Sequence, residues 1–161
     1  MATLKMRFIS PGDFSSGIIE FFEGGSQWSH IEFILEDGSY LGARDNGGIQ
    51  IRPVDYVKSP AREKRYGIPV TDEMYNNIIN FAKSKIDTSY NMEDIFGIAL
   101  HRDWNDPKKY ICSEFVAACC AQAGLPMLNV ESEFTYKITP ETLHLSPILI
   151  GNCYYSHIVK Q

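Results

Sequence analysis

The chain has 161 residues, 44% of them apolar and 22% charged, with a formal net charge of −5. That length fits one domain over residues 1–161, with a core large enough to stand without staples. An acidic balance with no Lys/Arg-rich run argues against nucleic-acid binding, because phosphate contacts need clustered cations.

No segment approaches about 18 uninterrupted apolar residues, so no membrane span is expected. The opening stretch MATLKMRFISPGDFSSG carries no apolar region of signal-peptide length. A cytoplasmic location follows by default, with release by lysis or a dedicated machine left open.

In chain order, MRFIS (6–10) reads as a first strand. Pro11, Gly12 and Asp13 break it, and a short apolar helix is expected up to Gly24-Gly25. WSHIEFILEDGSYLGAR (28–44) is the clearest hairpin: Ile31, Phe33 and Leu35 alternate with His30, Glu32 and Ile34, and Asp37-Gly38 turns the chain. A second turn at DNGG leads into IQIRPV, which makes a meander of about three antiparallel strands. KRYGIPV (64–70) is a fourth strand. TDEMYNNIINFAKSKI (71–86) reads as a helix with Thr71 as its N-cap, acids in its first turn and lysines in its last. NMEDIFGIAL (91–100) is a second, shorter helix. CSEFVAACCAQAGLP (112–126) is a third, stopped by Gly124 and Pro126. A helical turn at TPETLHLS (139–146) and a strand within PILIGNCYYSHIVK (147–160) close the chain. The class is α+β, an antiparallel sheet with helices packed on it.

The four cysteines are Cys112, Cys119, Cys120 and Cys153. There is no C-x-x-C, and His30, His101, His144 and His157 show no metal-ligand spacing, so the cysteines read as thiols and no metal is expected. Cys119 and Cys120 sit among Phe115, Val116, Ala117, Ala118 and Ala121 and read as small core residues. Cys112 differs, because it opens its helix. Free N–H groups and a partial positive charge there favour a thiolate and can support an oxyanion. The plain alternative is that Cys112 is one more buried, inert thiol.

A nucleophilic cysteine needs a base. His30 begins a strand and shares a face with Glu32, since strand side chains alternate with period two. Histidine and carboxylate on one face make a base and its orienter; the alternative is a solvent-facing polar edge. Trp28 is a candidate cleft wall and Tyr110 a candidate pocket or oxyanion contact, with packing as the alternative for each. Ser113 offers its backbone N–H, its hydroxyl serving as a cap, and Glu114 is expected to point outward.

Taken together and in this order, WSHIEF and YICSEFVAACC resemble the circularly permuted NlpC/P60 (papain-like) cysteine hydrolases, the YiiX-like group. In ordinary papain-like enzymes the cysteine helix comes first; here His30 precedes Cys112, as permutation requires. The resemblance spans most of residues 26–125, including the Gly-rich hairpin DGSYLGARDNGGIQIRPV. It implies a permuted papain-like fold with Cys112 as nucleophile and His30 as general base. Related permuted proteins often place a polar orienter on the strand after the histidine. Here that strand, SYLGAR, offers Gly42 and Ala43, so Glu32 is taken as the third member, with Arg44 and Gln50 as outsiders.

The implied chemistry is acyl transfer to water without metal or organic cofactor. The resemblance points to a peptide or related acyl substrate, with cell-wall peptide amides first. A lipid acyltransferase or thioesterase and a protein protease or deconjugase share the same dyad. A non-catalytic phage- or toxin-associated binding module is the reading of a different kind. Oligomeric state is not legible from the sequence.

Overall fold

The computed structural model describes residues 1–10, 27–44, 48–57, 59–86, 111–129 and 138–158. The expected helix after Pro11, the NMEDIFGIAL helix and Tyr110 lie outside the described residues.

The described chain is α+β. Strands β1 (Ala2–Ser10), β2 (His30–Ile34), β3 (Tyr40–Arg44), β4 (Gly48–Arg52) and β5 (Arg62–Val70) precede helix α1 (Asp72–Lys83). Helix α2 (Ile111–Gln122), the short α3 (Pro140–His144), a 3-10 turn at Pro147–Leu149 and β6 (Cys153–Ile158) follow. The strands form one six-stranded sheet in the order β4-β3-β2-β1-β5-β6, and every described pairing is antiparallel.

The β2–β3–β4 meander follows from local chemistry. Gly38 takes φ 83° at the turn, a conformation open to glycine at little cost. Asp37 Oδ1 accepts from the Ser39 amide at 2.9 Å, which closes the turn. The central strand is less local. β1 runs from Ala2, well before MRFIS, because its early residues pair with the far end of β5, Ala2 opposite Val70. β1 is thus clamped between β2 and β5.

Alternation sorts the sheet's two faces. Leu4, Met6 and Phe8 of β1, Ile31 and Phe33 of β2, Leu41 and Ala43 of β3, and Tyr66, Ile68 and Val70 of β5 join one buried cluster. Helix α2 supplies Phe115, Val116, Cys119 and Cys120 to it, and α1 supplies Ile78, Ile79 and Ala82. Phe33 and Phe115 meet edge to face with centroids 6.4 Å apart, a favoured aromatic geometry. The α2 stretch is apolar nearly all round because it is sunk in this core.

Helix ends obey the expected signals. Thr71 caps α1, accepting from the Met74 amide at 3.1 Å. Gly124, at φ 80°, ends α2, with the Leu125 amide donating back to the Cys120 carbonyl at 2.9 Å. β6 is shorter than the apolar run that contains it, because Pro147–Leu149 coils into the 3-10 turn first.

Candidate active site

The candidate site lies where the first turn of α2 meets the start of β2. Cys112 is the second residue of its helix and is buried. His30 is the first residue of β2 and is also buried. The two side chains interact: Cys112 is among the groups that favour the charged form of His30.

His30 Nε2 lies 3.2 Å from Glu32 Oε2. The carboxylate therefore reaches back along its own strand to the imidazole, although the two residues are neighbours in alternation rather than across a ladder. The polar-edge alternative does not describe these residues: Glu32 is 0% exposed and His30 is 6%. Around these two residues the face of the sheet opposite the helices is covered too, although Thr3 and Lys5 farther along β1 are exposed on it.

What covers and balances that face is a set of groups that sequence reasoning missed. Arg7, directly opposite Glu32 in the β1–β2 register, donates from Nε to Glu32 Oε1 at 2.6 Å. Tyr56, from the turn after β4, places its hydroxyl 2.7 Å from both Oε1 and Oε2. Arg7 also lies 3.6 Å from Glu63 Oε1, and the Arg65 Nε donates to the same oxygen at 2.7 Å. The Arg7 guanidinium stacks 3.4 Å from the Tyr40 ring centroid, a cation–π contact. Charges of opposite sign alternate from His30 through Glu32, Arg7 and Glu63 to Arg65.

These neighbours set the protonation states. Burial pushes the Glu32 carboxyl up, but His30, Arg7 and the Tyr56 hydroxyl outweigh it and hold the pKa down to about 2. Burial works against the His30 imidazolium, yet Cys112 and Glu32 together raise its pKa above the ordinary value. Both effects favour the ionised partner in a hydrogen-bonded pair. Burial pushes Cys120 up to about 12 and Cys119 well up, so these two thiols stay protonated.

Gly42 explains where the orienter sits. A Cβ added at Gly42 would stand 2.8 Å from the Glu32 Cβ, closer than two carbon atoms can pack. The glycine on β3 and the glutamate on β2 are complementary: the empty position on one strand admits the base of the Glu32 side chain on the other, with the carboxylate Oε2 3.6 Å from where that Cβ would be.

Several expectations are corrected by the geometry. Trp28 is 0% exposed and packs in an aromatic group with Phe8 and His144, centroids 6.1 Å and 5.2 Å away. It is a core residue, because its ring fills the space between β1 and α3. Ser113 is fully buried, and its hydroxyl donates to the Ile138 carbonyl at 2.6 Å. That bond ties the start of α2 to the segment before α3. Glu114 is buried as well, not outward, since this turn of the helix is covered. His144, which the sequence left without a setting, has Nε2 2.8 Å from the Tyr66 hydroxyl and 3.5 Å from Lys64 Nζ.

A signal for Arg7 was present. MRFIS and HIEFI each carry one charge, Arg7 and Glu32, between apolar neighbours, and such a charge survives burial only when paired. Tyr56 left no comparable trace, because its contact depends on how a turn folds back over the sheet.

No family model matches the chain, and no curated protein matches it significantly. Among solved structures, the chain is similar to the crystal structure of the metalloprotein YiiX from Escherichia coli O157:H7, a DUF1105 protein. The TM-score is 0.65 at 14% identity, and the match covers 98% of each chain. The likeness shows a YiiX-like fold over the whole chain. Among the described residues, no group of three or more His, Cys, Asp and Glu is placed to hold a metal ion.

Proposed function

We propose that the chain is a cysteine hydrolase of the circularly permuted, papain-like NlpC/P60 type, acting on an amide or related acyl bond. One observation carries the reading: a buried cysteine in the first turn of a helix interacts with a buried histidine that is itself 3.2 Å from a buried carboxylate. Nucleophile, base and orienter are the three parts such chemistry requires.

In this mechanism the Cys112 sulfur, as thiolate, attacks the substrate carbonyl. Backbone N–H groups at the start of α2 stabilise the oxyanion. Glu32 engages Nε2 of His30, which leaves Nδ1 for the sulfur and for the proton in transit. His30 protonates the leaving group as the tetrahedral intermediate collapses to a thioester. It then takes a proton from water, whose oxygen attacks the thioester and frees Cys112. Glu32 stays ionised throughout and serves to orient and charge-balance the imidazolium.

The substrate class proposed is a peptide amide of the cell-wall type, on the resemblance of the His30 and Cys112 motifs. The test begins with the thiol. At pH 6, a limiting alkylator should modify Cys112 faster than the other three cysteines, and His30→Ala should remove that preference. Muropeptides offered to the same protein should then release new amines. Slow, even labelling of all four cysteines would sink the enzyme reading and favour a non-catalytic binding module.

A further inference from the structure

A glutamate two positions along a strand from a histidine has no intrinsic reason to reach it. Strand side chains stand roughly perpendicular to the sheet, and the two Cα atoms are about 6.5 Å apart along the strand. An unrestrained Glu32 would have several rotamers, most of them turned away from the imidazole. Here three features on three other segments remove that freedom.

On one side, Arg7 of β1 takes Oε1 at 2.6 Å. From above, the Tyr56 hydroxyl sits 2.7 Å from both oxygens, equidistant between them. On the other side, Gly42 of β3 makes room for the base of the side chain: a Cβ there would press on the Glu32 Cβ at 2.8 Å and shift the carboxylate that hangs from it. Tyr56 is itself held, its ring edge-on to Tyr40 at 5.8 Å and beneath the Arg52 guanidinium at 5.7 Å. We propose that Tyr56, Arg7 and Gly42 form a clamp of positioning residues that locks Glu32 in the one rotamer from which it orients His30. The inference rests on the cysteine–histidine reading above and deepens it: the third member of the site lies on the histidine's own strand, and the clamp makes that placement work.

The clamp predicts a sign. Around His30 and Glu32 the charged and titratable neighbours are Cys112 from α2, Arg7 from β1, Glu63 from β5, Tyr40 from β3, Arg52 from β4 and Tyr56. If Tyr56 only competed with His30 for the carboxylate, removing its hydroxyl would leave Glu32 more basic and raise the His30 pKa. If Tyr56 positions Glu32, removing the hydroxyl lets the carboxylate swing away and lowers it.

The experiment is an NMR titration of the His30 imidazole in the full chain, its resonance identified by its loss in His30→Gln. Wild type is compared with Tyr56→Phe, which removes one oxygen and keeps the ring, and with Gly42→Ala. Replacing Arg7 would strand two buried carboxylates, so the two milder variants carry the test. Both should lower the His30 pKa by about half a unit or more and slow Cys112 alkylation at pH 6 about threefold or more, as a lost hydrogen bond to a charged group implies. An unchanged or raised His30 pKa in Tyr56→Phe overturns the clamp, even if the melting temperature falls. Wild-type Cys112 that alkylates no faster than a free thiol defeats the nucleophile reading instead, and the His30 titration, which needs no nucleophile, still judges the clamp.

Discussion

Glu32→Gln is the substitution that most directly weighs the buried charge network. The side chain keeps its shape, loses its ionisation and exchanges one acceptor oxygen for an NH2 donor. In the folded chain the Glu32 carboxyl is held at about 2, against an ordinary value of 4.5. At about 1.4 kcal/mol per pH unit, that difference contributes about 3 kcal/mol of stability at neutral pH. The side chain is fully buried, so solvent screening does not discount it. The sign follows from the depressed folded value: the contribution is fully present above pH 4.5 and is lost as pH falls toward 2. Urea denaturation of wild type and Glu32→Gln at a series of pH values reads it. Other carboxyls titrate in both proteins, so the gap between the two isolates Glu32. The gap should be about 3 kcal/mol at pH 7 and close as pH approaches 2. A gap that stays constant across this range, or no gap at pH 7, would refute the assignment of Glu32 as a permanently ionised, paired carboxylate.

Other consequences are as direct. Cys119 and Cys120, with thiols raised by burial, should resist alkylation in the native protein at pH 8 and react only in denaturant; peptide mass spectrometry distinguishes the states. Trp28→Ala should cost about 3–5 kcal/mol by emptying the space between Phe8 and His144, seen as a drop in the urea midpoint. If Trp28→Ala instead left stability unchanged, the ring would not be a core element. Ser113→Ala removes the bond to the Ile138 carbonyl and should cost about 1–2 kcal/mol, again read by urea denaturation.

Local chemistry made much of the fold legible. Alternation in WSHIEFILEDGSYLGAR and the Asp37-Gly38 turn place β2 and β3, and Thr71 fixes the start of α1. The sheet order was not legible, because the partner of β1's first residues is Val70, and nothing near Ala2 in the sequence announces it. The same division runs through the site. Strand periodicity put His30 and Glu32 on one face, but not the carboxylate within reach of the imidazole. Arg7 needed the cross-strand register with Glu32, and Tyr56 needed a turn to fold over the sheet. Trp28 drew attention by its distance of two residues from His30, but a large ring beside a site is more often packing than wall; here it is packing. Glu114 was expected in solvent because a carboxylate suits a helix N-terminus; its burial depends on neighbours that the helix pattern does not encode.

The position of β1 between β2 and β5 also sets when the buried charge network can assemble. The histidine strand emerges early in synthesis and the cysteine helix late. The central strand that carries Arg7 cannot gain its second neighbour until β5 has been made. Contacts of such long sequence separation form late and together. Until they do, Cys112 has no imidazole beside it, and Glu32 has no cation to hold it. A nascent or partly folded copy therefore lacks the network even after the histidine strand has been made: the topology defers its assembly until the sheet has closed around its central strand.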